Sequence, residues 1–301
     1  MVNEKLIQRY KDLFGDGWKI IQKMELRQSI RVNTLKMADD KQLISRLEKE
    51  GAKFSKVPFL PHGYYVDSSR FSLGAAPEYL FGYYYIQEAA SQLPALILNP
   101  DKKDIVLDMA AAPGGKLTQL AELMENQGVL IGLEKMKHRI PSLRNSIERL
   151  GVSNSVIYNL DALDVSSLGL KFDKILLDAP CSGNFLVDNT WFDKRTVEQF
   201  KDRSELQKSL LKAASSVLKE GGTLVYSTCS MEPEENEFVV DWVIENLDLK
   251  IEKINPEKID IGESASANIN GKSLNKDVSC CLRIWPHKTK TQPFFIAKFR
   301  K

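Results

Sequence analysis

The sequence contains no apolar run approaching the roughly 18 residues that a membrane span needs, so an integral helical membrane protein is excluded and no membrane partner is expected. It has no internal repeat and no low-complexity tract, which excludes solenoids, collagen-like chains and disorder and leaves 301 residues of ordinary packed domains. Excess charge is nearly absent: 42 basic against 40 acidic residues leave +2, which alone argues neither for nor against a nucleic-acid partner. Cysteine is sparse, with four in the chain, and the N-terminal stretch MVNEKLIQRYKDLFGDGW is charged throughout with no apolar signal core. A cytoplasmic, monomeric protein without a metal site is therefore the expectation. Cys280 and Cys281 are adjacent and poorly placed for a disulfide, so both are expected to be idle thiols.

What is present is a composition able to bury a core, 43% hydrophobic and 27% charged. The charge is unevenly spread, because residues 1–56 hold 13 Lys and Arg against 8 Asp and Glu. A basic N-terminal segment on a near-neutral body hints at a polyanionic partner. Apolar residues fall at helical spacing over 3–14 and 39–50 (Leu43, Ile44, Leu47), with strand character in IRVNTLK between them. Short strand-like pieces follow over 54–57 and 63–66, broken by Pro58 and Pro61. Residues 1–85 are thus expected to form a small α/β domain, and YYYIQEAASQLPALIL is predicted to be a helix leading into a second domain, 86–301.

From Asp104 onward, short apolar runs alternate with helical segments. DIVLDMA, GVLIGLE, SVIYNLDA, FDKILLDAP and GGTLVYSTCS read as strands, and LTQLAELM, HRIPSLRNSIERLG, ELQKSLLKAASSVLK and ENEFVVDWVIENL as helices. Strands that are apolar almost throughout, with helices between them, predict a doubly wound, Rossmann-like α/β fold built on a parallel sheet covered on both faces. CLRIWPH and FFIAKF are expected to close it as an antiparallel pair.

Ligands of such sheets bind beyond the carboxyl ends of the strands, where the topology switches direction. The polar residues ending the predicted strands are Asp108, Glu134, Asp161, Asp178 and Cys229. DMAAAPGGK lies between a strand and a helix, where Gly114 and Gly115 permit close backbone approach and the helix offers free N–H groups. It is not a Walker A loop, since Leu117 follows Lys116 and the leading glycine is missing, and no G-x-G-x-x-G is present. A ligand with a nucleoside and an amino-acid end but no pyrophosphate fits what remains, which describes S-adenosylmethionine. Glu134, 26 residues after Asp108, is placed to accept hydrogen bonds from both ribose hydroxyls, and Asp161 from the adenine amino group. Taken singly, each carboxylate is explained as readily by a helix N-cap or a solvated loop end.

DAPCSG puts Asp178, Pro180 and Cys181 just past the fourth strand of this series, and VYSTCS puts Thr228 and Cys229 just past the fifth. One strand-end cysteine is usually an inert core residue. Two on adjacent strands of the ligand edge, one beside an aspartate, point to thiol chemistry. The strings DMAAAPGGK, DAPCSG and STCS, in this order, resemble the motifs of the Sun-type (NOL/NOP/Sun, RsmB-like) RNA cytosine-C5 methyltransferases. The resemblance covers most of the chain, because IRVNTLK is similar to the signature of that family's small N-terminal domain and YYIQEAAS to its lead-in helix.

The resemblance implies a class I methyltransferase sheet, S-adenosylmethionine as cofactor and RNA as partner. It makes Cys229 the nucleophile that adds at C6 of cytosine and Cys181 the residue that assists product release. Asp178 would hydrogen-bond the cytosine edge, and Lys116 would favour a thiolate by its charge. The cofactor residues implied are Ala110, Ala111, Ala112, Pro113, Gly114, Gly115, Lys116, Glu134, Arg139, Asp161 and Asp178. Two departures stand out: Ala110 replaces a small thiol residue common in relatives, and TQPFFIAKF replaces the more usual Asp-Gly-Phe-Phe pattern. No inserted PUA-type domain is evident. RNA contacts are expected from the basic N-terminal unit (Lys23, Arg27, Lys36, with Tyr64 and Tyr65) and from Lys135, Lys137, Arg139, Arg144 and Arg149 of the core, above all from Arg31 and Asn33 within IRVNTLK. The short, insert-free chain favours tRNA over ribosomal RNA as substrate. A catalytically idle RNA-binding assembly factor is the rival reading, against which both cysteines and Asp178 argue. A small-molecule or protein methyltransferase leaves the two cysteines unexplained.

Overall fold

A computed structural model describes residues 4–269 and 271–301 of the chain. The chain opens with α1 (Glu4–Phe14) and α2 (Gly17–Ile21). These helices do not join the small N-terminal unit, as the sequence pattern led one to expect. Leu6, Tyr10, Phe14, Trp18 and Ile21 instead share a core with Trp191, Phe200 and Met231 of the large unit. The stripe of Tyr10, Phe14 and Trp18 at four-residue spacing is wide and aromatic, and it finds a matching aromatic surface in Phe185, Trp191 and Phe192.

The small unit is an antiparallel sheet of β1 (Ser29–Val32), β2 (Ala52–Lys56), β3 (Gly63–Ser69) and β4 (Tyr84–Ile86) in the order β2-β3-β1-β4. Helix α3 (Asp40–Lys49), capped by the Asp39 side chain, buries Leu43 and Leu47 against Ile30, Val32 and Tyr84. A short α4 (Pro77–Leu80) precedes β4, so the expected boundary at residue 85 falls inside a strand of this sheet. The helix predicted over YYYIQEAASQLPALIL is correspondingly shorter. Its first residues pair with β1, and only α5 (Leu93–Leu98) is α-helical, because Tyr84 and Ile86 complete the edge of the small sheet.

In the large unit β5 (Ile105–Asp108), β6 (Val129–Leu133), β7 (Ser155–Tyr158), β8 (Phe172–Asp178) and β9 (Leu218–Thr228) lie parallel in the order β9-β8-β5-β6-β7. Helices α5, α6 (Gly115–Leu123) and α7 (Ile140–Leu150) cover one face through Leu93, Leu117 and Leu143. After a short α8 (Trp191–Lys194), helices α9 (Val197–Val217) and α10 (Glu237–Asn246) cover the other through Leu211, Ala214 and Val240. The remaining strands are β10 (Lys250–Glu252), β11 (Glu263–Ser264), the hairpin β12 (Asn268–Ile269) with β13 (Lys272–Ser273), β14 (Leu282–Ile284) and β15 (Phe294–Arg300). As expected, β14 and β15 form an antiparallel pair, with β15 antiparallel to β9 as well. The strand order reverses between β5 and β8, which places the ligand crevice between the ends of Asp108 and Asp178. Among the described residues no helix is long and apolar enough to cross a membrane.

Arg31 and Asn33 join the two units and do not face solvent, which corrects their expected place on the RNA surface. Arg31 is 2% exposed, and all five of its N–H donors are engaged. It pairs with Glu122 of α6 through two 2.9 Å bonds and also donates to Gly115 O, Thr118 and Gln87. Asn33, wholly buried, donates to Gly82 O at 2.7 Å and Leu150 O at 2.8 Å. Arg149 and Lys36 serve the same seam, donating to carbonyls of residues 79, 84, 81 and 149. A guanidinium with no free donor and no solvent access has nothing left to offer a phosphate.

Candidate active site

The turn after β5 carries Ala110 to Lys116 into α6. Gly114 has φ of +112°, and a Cβ there would lie 2.7 Å from that of Ser146, so only glycine allows the turn to close on α7. Arg139 braces the turn by donating to Ala112 O at 2.6 Å and reaches Glu134 at 3.3 Å. Glu134, one residue past β6, also accepts the Met136 N–H at 2.7 Å. Asp161 lies beyond the end of β7 instead of ending it; it caps a short 3₁₀ turn by accepting the Leu163 N–H and pairs with Lys135 at 2.6 Å. Both the capping role and the cleft position are thus filled by one carboxylate, whose spare lone pairs remain available.

Ala110, Ala112, Glu134, Arg139, Asp161 and Asp178 line one cleft of about 450 Å³, walled on its apolar side by Met136, Ala162 and Leu210. Size and lining suit a nucleoside ligand. The three carboxylates of the cleft are each oriented by a cation, Glu134 by Arg139, Asp161 by Lys135 and Asp178 by Lys116, and a buried oxygen of Asp108, Oδ2, has no protein partner at the foot of the crevice. Burial, opposed by the Ala110 N–H and reinforced by Asp178, pushes Asp108 up to about 7. These features fit S-adenosylmethionine.

Ala111, Pro113, Gly115 and Lys116 line a second, adjoining recess of about 250 Å³ with Gln87, Glu88 and Asp178. Lys116 donates to Asp178 Oδ2 at 2.7 Å, and Ser227, the β9 neighbour of Asp178 across the parallel ladder, donates to Oδ1 at 2.7 Å. Burial works to lower the Lys116 pKa, but the charge and hydrogen bond of Asp178, with Asp108 and Cys229 adding, leave it raised, so Lys116 remains an ammonium. The Phe294 ring lies 5.4 Å from that ammonium, and the Gln292 N–H donates to Glu88 at 3.0 Å, so the departing TQPFF string packs behind two of the residues that line this recess.

The two cysteines meet. Cys181 Sγ and Cys229 Sγ are 3.2 Å apart, both partly accessible. The hydrogen bond with Cys229, then burial and the Cys229 charge, push the Cys181 thiol well up, and either sulfur can donate to the other. Such a site holds one sulfur as a proton carrier beside another free to act as nucleophile, with an ammonium and a carboxylate alongside. Cys281 is buried with its thiol pushed up by burial, and Cys280 lies in the same segment, remote from this edge.

Glu235 is the residue that sequence reasoning missed. It is wholly buried and accepts from the Ser182 N–H (2.9 Å), the Ser182 hydroxyl, the Ser230 hydroxyl (2.8 Å) and Gln207 (2.9 Å). Ser182 follows Cys181 and Ser230 follows Cys229, so one carboxylate ties both cysteine loops together. In the run MEPEENE nothing marks this glutamate from its neighbours, and a helix start is the natural reading. Glu235→Gln should lower kcat by about 10- to 100-fold with cofactor affinity kept, since the amide turns a donor toward donors and loosens the sulfur pair. Single-turnover methylation with cofactor titration checks this; an unchanged kcat would remove Glu235 from the positioning apparatus.

The comparisons bear on this geometry. A family model described as 16S rRNA methyltransferase RsmB/F matches residues 95–300, and one described as the N-terminal domain of 16S rRNA methyltransferase RsmF matches residues 2–89. The chain is 36% identical to the tRNA (cytosine(49)-C(5))-methyltransferase of Pyrococcus abyssi, over 100% of this chain and 96% of the relative. It is 39% identical to the ribosomal RNA small subunit methyltransferase F of Vibrio parahaemolyticus, over 92% of this chain but only 57% of the relative. Among solved structures, a methyltransferase homolog protein from Pyrococcus horikoshii superposes with a TM-score of 0.85 at 41% identity, covering 94% of this chain and 89% of that one. NSun6 from Pyrococcus horikoshii with SFG gives 0.83 at 30% identity, covering 98% and 97%. Two models matching consecutive stretches, and relatives aligned across nearly the whole length, turn the resemblance carried by the cysteine motifs into membership: the chain belongs to the RsmB/F, Sun-type family of RNA cytosine-C5 methyltransferases.

Proposed function

We propose that this chain transfers a methyl group from S-adenosylmethionine to C5 of a cytosine in RNA, with tRNA as its substrate. The observation that carries the chemistry is the pair of sulfurs 3.2 Å apart beside the Lys116–Asp178 pair. Cytosine C5 is a poor nucleophile until a thiolate adds at C6. The Cys229 sulfur forms that bond, and the displaced electron pair moves into the ring toward N3 and C5. Asp178, oriented by Lys116 and Ser227, accepts from the exocyclic amine and passes the proton it shares with the Lys116 ammonium to N3 as negative charge builds up there. The bound cofactor supplies an electrophilic methyl on a sulfonium centre, held in the cleft of Glu134, Asp161 and the Ala110–Lys116 turn. Solvent water takes the C5 proton, the electrons of that bond restore the C5–C6 double bond and the Cys229 sulfur leaves as a thiolate, to which the Cys181 S–H gives its proton as the RNA departs.

Support for tRNA comes from the archaeal tRNA enzyme, to which the sequence is 36% identical over 100% of this chain. The purified protein with isotopically labelled cofactor should methylate unmodified tRNA transcripts, and bisulfite sequencing should show one protected cytosine. Incorporation into a ribosomal RNA fragment with none into tRNA would overturn the tRNA assignment and leave the chemistry standing.

A further inference from the structure

With Arg31 and Asn33 buried, the RNA surface must lie elsewhere, and one place concentrates positive charge. A groove of about 510 Å³ opens between the small sheet and the segment around β14, and a second of about 780 Å³ continues it along α5 and residues 253–260. The two share Lys56, Pro58, Phe59 and Asp260, so they form one trench. Exposed along it are Arg27, Lys56, Lys253, Lys258, Lys288 and Lys290, against the acidic side chains of Asp260 and Glu263. Arg27, Lys56 and Lys288 are paired with Asp67, Asp40 and Glu263, so the unpaired surplus of the trench comes from Lys253, Lys258 and Lys290 against Asp260.

The trench also has flat aromatic walls. Phe59 and Trp285 are half-buried at its sides, with the Arg283 guanidinium 4.3 Å from the Trp285 ring centre, and the Arg27 guanidinium covers the buried Tyr65 ring at 3.8 Å, so that Phe59 and the outer plane of Arg27 are the flat surfaces offered to a base. Alternating cations and rings suit an unpaired strand whose phosphates meet the lysines while its bases lie on the rings; a duplex hides its base faces. Its near end leads to the reaction site, because Thr289 and Lys290 precede Gln292, whose N–H is held by Glu88 in the recess that contains Lys116 and Asp178.

We propose that this trench, between the small sheet and residues 253–290, binds the unpaired RNA strand that flanks the target cytosine. The proposal rests on the reading of the chain as an RNA methyltransferase. Lys253, Lys258 and Lys290 are exposed and outside the reaction site, so their reversal spares the core. The probe is a fluorescein-labelled single-stranded RNA of twelve nucleotides with one central cytosine, and the same sequence annealed into a duplex, titrated against the full chain. The double variant Lys253→Glu/Lys258→Glu, and separately Lys290→Glu, should weaken single-strand binding at least about tenfold near 0.1 M salt. The double variant should also flatten the dependence of log K on log salt by about 1.4, two single-strand contacts' worth. On an unmodified tRNA transcript that the wild-type chain methylates, KM should rise by a similar factor, with kcat and cofactor affinity near wild type. RNA affinity and KM left unchanged by both variants, duplex bound as well as single strand, or affinity lost only together with cofactor binding would each overturn the proposal. A wild-type chain that neither binds nor methylates RNA would instead overturn the functional reading beneath it.

Discussion

Cys229→Ala should abolish methyl transfer, by a factor on the order of a millionfold, while cofactor binding stays intact. The alanine removes the only sulfur positioned to add at C6, and no side chain beside it can substitute. Lys116 is held as an ammonium by Asp178, and Cys181 is held as a protonated thiol. Cys181→Ala should behave differently. It leaves the nucleophile in place and takes away the proton carrier 3.2 Å from it, so RNA remains attached after addition. A protein–RNA band that survives denaturation in Cys181→Ala, and is missing in the Cys181→Ala/Cys229→Ala double variant, is the expected result. Turnover by Cys229→Ala would sink the nucleophile assignment, and no trapped species in Cys181→Ala would sink the release role.

The second large effect is on stability. Arg31→Ala should destabilise the protein by about 3–5 kcal/mol, because it strands the buried Glu122 carboxylate without its partner. For a chain of this length that corresponds to a fall in Tm of roughly 5–8 °C. Glu122 makes the sign clear: burial already pushes its pKa up and Arg31 is what opposes it, so removing the arginine drives the carboxyl to take up a proton. Thermal unfolding measures the effect. A variant with unchanged Tm and weakened RNA binding would return Arg31 to the RNA surface.

Arg31 also shows where sequence reasoning reaches its limit. A basic residue in a strand between helices is most often solvated, and the IRVNTLK string carried no sign that Glu122, 91 positions away, faces it across the seam. The same limit explains α1 and α2. Helical spacing over 3–14 predicted a helix with an apolar face, but spacing is silent about which distant surface that face meets. Strand ends were more legible. Period and length placed β5, β8 and β9 closely enough to put Asp108, Asp178 and Cys229 on one edge, since a parallel sheet leaves little choice about where its strand ends lie.

The sequence by itself determined the sheet, the cofactor turn and the two cysteine motifs, because each is local: a buried strand, a glycine turn and a short string declare themselves within ten residues. Only the tertiary structure decided that Cys181 and Cys229 touch, that Glu235 ties their loops, that Arg31 is mortar between the two units, and that positive charge gathers in a trench between the small sheet and residues 253–290. Those facts depend on contacts between segments tens to hundreds of residues apart. Such contacts arise from how the layers close on one another, and the chain's local patterns do not encode that closure in readable form.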